Sequence, residues 1–242
     1  MNNRLQKILD LIFVPHCVAC GERLAAGEGA LCTKCLSAYR LALLETCPFC
    51  GKILSECPCV GDQLTGSGLS ALIKLFYYYP HDNAVQNLMI YALKHRAERR
   101  VIDRLADDMA GAITAHCDWQ AKEYLITYAP RSRKAKRSHG FDHMAYLSRA
   151  VADRLGVPCR SLLSRHGGKE QKKQGTVKER QRNMKDAYRY VGKGDLQGKH
   201  ILLLDDLMTS GATLKTAART LRRAGAKRIT AAVLAITPLT EK

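Results

Sequence analysis

The chain carries 39 Lys and Arg and 22 Asp and Glu among 242 residues, a formal charge of +17, and 46% of its residues are hydrophobic. That suffices for one good-sized core and a smaller second unit, and no run reaches the ~18 apolar residues a membrane span requires, so a soluble protein with no membrane span is expected. The charge is uneven: residues 1–61 hold 6 Lys/Arg and 5 Asp/Glu, which leaves an excess of +16 on residues 62–242 and suits a polyanionic partner.

The opening stretch MNNRLQKILDLIFVPHCVAC has an apolar patch from Ile8 to Val14. Asp10 inside it and the lack of a small-residue cleavage site argue against a signal peptide, so a cytoplasmic location is expected. The ten cysteines then read as metal ligands rather than disulfides. Cys17-x2-Cys20, Cys32-x2-Cys35 and Cys47-x2-Cys50 repeat a chelating knuckle, and Cys57-Pro-Cys59 adds a tighter pair. Zinc favours four tetrahedral thiolates, so two such pairs complete one site. Cys17, Cys20, Cys32 and Cys35 are expected to hold one Zn2+ and Cys47, Cys50, Cys57 and Cys59 a second, although interleaved pairing of the knuckles satisfies the spacing too. With every position closed by sulfur there is no room for an activated water, so this zinc is structural. His16 is expected to pack beside Cys17, and the isolated Cys117 and Cys159 to be small buried residues.

The Cys-rich segment has too few apolar residues for a core of its own and reads as a small domain, residues 1–61, held together by metal. GDQLTGSGLS, residues 61–70, connects it to a second domain, residues 62–242. There ALIKLFYYY reads as one or two strands, Asn83 to His95 and Glu98 to Cys117 as helices, and Tyr124 to Ala129 as a strand stopped by Pro130. After the basic run RSRKAKR, Phe141 to Leu155 is a helix closed by Gly156 and Lys199 to Asp206 is a strand. A helix from Ala212 to Ala224, ended by Gly225, leads into a strand from Arg228 to Ile236. Alternating strands and helices imply an α/β fold, a mostly parallel sheet with helices on both faces, in which ligands collect at the C-terminal ends of the strands.

The most chemically specific stretch is ILLLDDLMTSGAT, residues 201–213. A buried strand ends in two adjacent acids, and a small-residue loop runs straight into a helix. Thr209, Ser210, Gly211, Ala212 and Thr213 offer N–H groups and hydroxyls at a helix N-terminus, where unpaired donors and the dipole favour an anion. Asp205 and Asp206 accept hydrogen bonds only, which suits the vicinal hydroxyls of a ribose. A sugar 5-phosphate is the indicated ligand. No G-x-x-x-x-G-K-[ST] is present, and no G-x-G-x-x-G follows a strand.

This stretch closely resembles the phosphoribosyl pyrophosphate (PRPP) motif of type I phosphoribosyltransferases. The resemblance implies that Asp205 and Asp206, the residues of any catalysis, bind the ribose hydroxyls while Met208 to Thr213 wrap the 5-phosphate. Further segments are similar, in the right order, to the ComF/GntX family, named for competence proteins of natural transformation. They are FVPHCVACGERL with the later knuckles, the helix ending LKHRAERR, APRSRKAKRSHGFDH, KERQRNMKDAY and the PRPP motif. That family joins a zinc ribbon to a type I phosphoribosyltransferase fold.

The resemblance implies that Ala129, Pro130, Arg131 and Ser132 meet the pyrophosphate end of PRPP, assisted by Arg133, Lys134 and Arg137, with Mg2+ bridging pyrophosphate and ribose. Arg and Lys neutralise diphosphate charge, and Arg grips it with two bonds. Residues 160–185 hold nine Lys/Arg against two Glu. Arg165, Lys169, Lys172, Lys173, Lys178, Arg180 and Arg182 are the implied track for single-stranded DNA, though a loop closing over the diphosphate has the same chemistry; Arg180 and Asn183 match the family's Arg-x-x-Asn.

Departures from the wider enzyme pattern matter equally. Thr209 stands where 6-oxopurine enzymes place a carboxylate base, and Thr is a poor proton acceptor at neutral pH. No dedicated nucleobase pocket is legible, although Phe141, Tyr188 or Tyr190 offer stacking faces. His139, His143 and Lys94 are expected to be packed or exposed rather than functional. The favoured expectation is binding of PRPP or a related ribose phosphate together with single-stranded DNA, in DNA uptake or recombination. The alternative is phosphoribosyl transfer to an amine or nucleobase with release of pyrophosphate. A third reading makes the zinc ribbon an adaptor for a DNA-uptake helicase or channel.

Overall fold

The structure, a computed structural model, describes residues 15–25, 27–96, 98–116, 123–131, 140–165 and 187–238. In chain order the described elements are α1 (Thr33–Ala42), β1 (Ala71–Tyr77), α2 (Val85–His95), α3 (Arg99–His116), β2 (Tyr124–Tyr128) and α4 (His143–Leu155). They continue with β3 (Leu163–Arg165), β4 (Tyr188–Tyr190), β5 (His200–Met208), α5 (Ala212–Arg223) and β6 (Arg228–Ile236). Single 3₁₀ turns occupy Leu54–Glu56 and Asp62–Leu64.

A four-stranded sheet in the order β1-β6-β5-β2 forms the centre, and every pairing in it is parallel. β5 lies between β6 and β2, so its apolar run is covered on both faces, and Leu202, Leu203 and Leu204 are fully buried. On one face Leu202 and Leu204 pack with Leu105 and Met109 of α3 and Leu147 and Val151 of α4. On the other, Ile201 and Leu203 pack with Leu214, Ala217 and Leu221 of α5. Neither set closes alone, so the alternation along β5 is what fixes the two-faced sheet.

Three features differ from the sequence reading. β5 runs to Met208 rather than ending at Asp206, because Asp205, Leu207 and Met208 still pair with Val233, Ala235 and Ile236 of β6. β3 and β4 form an unforeseen antiparallel pair, with Ser164 opposite Arg189. The ALIKLFYYY stretch is one strand, and α1 is a helix that the Cys-rich composition concealed.

α1 also explains how the Cys-rich segment is held. Tyr39 is fully buried, 5.2 Å from the Phe76 ring, and its hydroxyl donates to Asp108 Oδ2 at 2.6 Å. Arg104 lies over the same ring at 5.1 Å and donates to the same carboxyl at 3.0 Å. The segment lacks a core of its own, as its composition implies, and its apolar side chains join the core of the sheet. No described helix is long and apolar enough to cross a membrane.

Candidate functional site

The C-terminal tip of β5 brings together groups far apart in sequence. Asp206 Oδ2 accepts from His143 Nε2 at 2.6 Å and from Lys94 Nζ at 3.3 Å. α4 places His143 in its first turn and α2 places Lys94 in its last, so both helices end at the acidic pair. Burial alone would raise Asp206, but the His143 hydrogen bond and the Lys94 charge outweigh it and hold this carboxyl below the usual carboxylate range. Arg131, just beyond β2, donates from Nη2 to Lys94 O at 3.1 Å, while its Nη1 is buried without a partner among the described residues.

Asp205 has the opposite character. It is 9% exposed, and burial followed by the neighbouring Asp206 charge pushes its carboxyl up to about 8. The Asp206 N–H donates to its Oδ1 at 3.0 Å. On the α5 side Tyr188 is pushed up to about 12 by burial, with Arg165 opposing and Asp205 adding to the shift, and its hydroxyl hydrogen-bonds with Thr213. The Arg165 guanidinium lies 5.9 Å from the Tyr188 ring. One acid is thus held ionised and the other prone to keep its proton, so the pair can offer both acceptor and donor to adjacent hydroxyls.

Beyond the acids the chain turns into α5. Asp205, Met208 and the loop Thr209–Thr213 line a cavity of ≈ 30 Å³, space for about two waters. Gly211 precedes α5 with φ 69°, and no side chain caps the helix. A Cβ at Gly211 would lie 2.7 Å from Leu64 Cδ2, so the close approach of the Asp62–Leu64 turn and the left-handed backbone both require glycine. The uncapped N–H groups at this helix start can receive an anion.

The sequence-predicted residues divide in three. Asp205, Asp206, Met208, Thr209, Ser210, Gly211, Ala212 and Thr213 meet at the β5 tip. Ala129 joins them through its N–H to Leu204 O at 2.9 Å, followed by Pro130 and Arg131. Arg165 stands beside Tyr188 on the same side. Ser132, Arg133, Lys134, Arg137, Lys169, Lys172, Lys173, Lys178, Arg180 and Arg182, with His139 and Asn183, lie outside the described residues. Of the stacking faces, Tyr188 is 5% exposed and belongs to the core, so its ring is not open to a base. Lys94 and His143, which nothing in the sequence sets apart as functional, contact the acidic pair; only the segment GFDH, close to the basic run, hints at His143.

The cysteines form the two sets expected from sequential pairing. Sulfurs of Cys17, Cys20, Cys32 and Cys35, and separately those of Cys47, Cys50, Cys57 and Cys59, lie within 4.8 Å of one another. Sulfurs ~2.3 Å from one tetrahedral ion stand roughly 3.8 Å apart. Cys20 and Cys32 are 3.7 Å apart and Cys50 and Cys57 3.4 Å, so both sets fit such an ion. Burial raises the Cys17 and Cys47 thiols, but hydrogen bonds, chiefly from knuckle backbone N–H groups, bring both down to about 7. Either set can therefore present thiolate to a structural metal ion.

A phosphoribosyl transferase domain matches residues 145–242, and a double zinc ribbon domain matches residues 8–67. Competence protein ComFC of Bacillus subtilis (strain 168) is 24% identical over 201 residues, covering 81% of this chain and 79% of that protein. Purine phosphoribosyltransferase from Pyrococcus horikoshii Ot3 overlaps 58% of this chain and 77% of its own at 21% identity, with a TM-score of 0.37. Hypoxanthine phosphoribosyltransferase from Staphylococcus aureus overlaps 57% and 64% at 13% identity, with a TM-score of 0.37. Overlaps this loose carry no weight of their own; the two domain matches in tandem and the ComFC likeness do. The chain is a ComF/GntX-like protein, a zinc-ribbon domain followed by a type I phosphoribosyltransferase domain.

Proposed function

We propose that this protein binds PRPP or a related ribose phosphate with Mg2+ at the β5 tip and contacts single-stranded DNA, serving DNA uptake or recombination. The observation that carries the reading is the β5 tip itself, where Asp205 and Asp206 stand over the uncapped start of α5. The 5-phosphate would meet the Thr209–Thr213 loop, the ribose hydroxyls the two acids, and the diphosphate Arg131 and the basic residues after it. Mg2+ would be held by phosphate oxygens rather than by a protein cage. The DNA part is supported by the excess of +16 on residues 62–242 and by the competence name of the relative. The division at about residue 61 and the cytoplasmic location belong to the same proposal.

Calorimetry with PRPP and Mg2+ tests it. Wild type binds, and Asp205→Asn weakens binding about tenfold or more by removing an acceptor at the ribose. Absence of heat with wild type overturns the ribose-phosphate reading. For DNA, affinity for a short oligo(dT) falls steeply as salt rises if several phosphates are neutralised, and no binding at low salt removes that part.

A second reading, phosphoribosyl transfer to an amine or nucleobase, is favoured by one contact. His143 is 1% exposed and hydrogen-bonded to Asp206, so a proton-carrying ring stands at the ribose end. Pyrophosphate release with any acceptor, lost in Asp206→Asn, would establish transfer; an inert protein across amines and nucleobases would leave binding alone.

A further inference from the structure

A second cavity, of ≈ 290 Å³, lies where the Cys47–Cys50 knuckle overhangs the C-terminal edge of the sheet. Phe49, Tyr77 and Tyr79 supply aromatic walls, and Met208, Ile236 and Pro238 an apolar side. It adjoins the phosphate cradle. Met208 lines both cavities, and the Thr237 N–H donates to Met208 O at 3.1 Å. Gln63, another lining residue, would touch a Cβ at Gly211 of the loop at 3.8 Å. Neither the knuckle nor the sheet makes this space alone.

The lining suits an uncharged ring better than an anion. Lys74 is the sole cationic residue among those lining it, 2% exposed, and its Nζ already donates to Cys59 O at 2.6 Å and Cys57 O at 3.3 Å. Glu45, hydrogen-bonded with Tyr79, adds a carboxyl that would repel a phosphate. Aromatic faces, a thioether and a few polar edges such as Thr46, Gln63 and Thr237 fit a flat heteroaromatic. The volume is near the ~300 Å³ at which small-ligand pockets begin.

We propose that this cavity is a nucleobase site, built jointly by the second four-cysteine cluster and the edge of the sheet. It deepens the ribose-phosphate reading and rests on it, because a sugar phosphate at the β5 tip is what brings a base to this edge. The base has two sources with one chemistry: a free base, or a base of a single-stranded DNA.

Ligand-observed NMR on the zinc-loaded full chain, with adenine, cytosine, thymine and a short oligo(dT) as probes, separates them. At least one probe is expected to receive saturation, and Phe49→Ala and Tyr79→Leu each to weaken it about tenfold, the scale of one lost base–aromatic stack. A response from a free base identifies a soluble base as ligand, and a response from the oligonucleotide alone identifies a DNA base; both support the site. Phe49 is 70% exposed, so its truncation leaves the fold intact, which zinc content and melting temperature check. Phe49→Tyr, which keeps a ring, retains binding. The proposal is overturned if no probe binds wild type, or if binding is the same in both truncations. Bases binding while PRPP gives no calorimetric signal would overturn the ribose-phosphate reading and leave the cavity as a base site.

Discussion

The two four-cysteine clusters use the same knuckle in different surroundings. Cys17, Cys32 and Cys35 belong to the core that runs through α3, α4 and the sheet, whereas Cys47 and Cys57 share a small cluster with Leu54 and Tyr77. The difference lies in the element each knuckle leads into. Cys32 stands at the start of α1, whose Tyr39 reaches Phe76, Arg104 and Asp108 one helical turn beyond Cys35. After Cys50 comes a turn and a single 3₁₀ segment, tied to β1 through Lys74 and the Tyr77 hydroxyl, which donates to Thr46 O at 3.5 Å. Identical ligand chemistry therefore does two jobs: the first cluster is part of the foundation, and the second is the wall of a cavity.

The largest expected effect breaks the first cluster. Cys35→Ser should lose one zinc equivalent and lower stability by about 3–5 kcal/mol, because it opens a site inside the main core. Cys50→Ser, at an exposed position, should also lose one equivalent yet move the unfolding midpoint of the sheet by no more than ~1 kcal/mol. Denaturant unfolding with metal analysis measures both, and equal losses would erase the distinction. Tyr39→Ala sharpens it: removing this ring should cost about 3–5 kcal/mol with zinc still bound, while Tyr39→Phe should cost only the ~1–3 kcal/mol of an Asp108 left without its donor.

The next effect concerns the β5 tip. Asp206→Asn takes the counter-charge from Lys94 and from a buried His143, at a cost of about 2–3 kcal/mol. Asp206 is held low in the folded protein, so its contribution is present above the unfolded value of 3.8 and is lost as acid protonates it. Wild type and Asp206→Asn should therefore differ most at neutral pH and converge in acid. Thermal melts across pH decide the matter, and a constant gap would mean that the carboxyl is not held this way.

How much of this is open to sequence reading depends on range. The strand Ile201–Leu204, the acids after it, Gly211 and the helix are a local pattern, and they stand where that pattern puts them. The knuckles are equally legible, since a metal site imposes its spacing on the chain. His143 and Lys94 are not, because they lie 63 and 112 residues from Asp206 and nothing local marks which polar group a helix end will aim at an acid. α1 is hidden because Cys ligation, not apolar periodicity, dominates its start. The β3–β4 pair joins strands of three residues each, too short for alternation to show.

The smallest expected effect has the opposite sign. Burial makes Asp205 easier to protonate folded than unfolded, so its protonated form favours the fold below 3.8, and that contribution is lost progressively as pH rises toward about 8. At neutral pH this carboxyl works against folding. Asp205→Asn keeps an oxygen for the Asp206 N–H and removes the buried charge. It should raise the melting temperature, by about 2–4 °C for each kcal/mol recovered, with the gain widening from pH 4 toward pH 8. The same variant is expected to lose ribose-phosphate affinity, so a residue that weakens the fold and strengthens binding would mark this strand tip as selected for its ligand. A melting temperature that falls in Asp205→Asn would show instead that Asp205 is ionised and held by the Arg165 and Lys94 charges, and that the two acids do not differ as drawn.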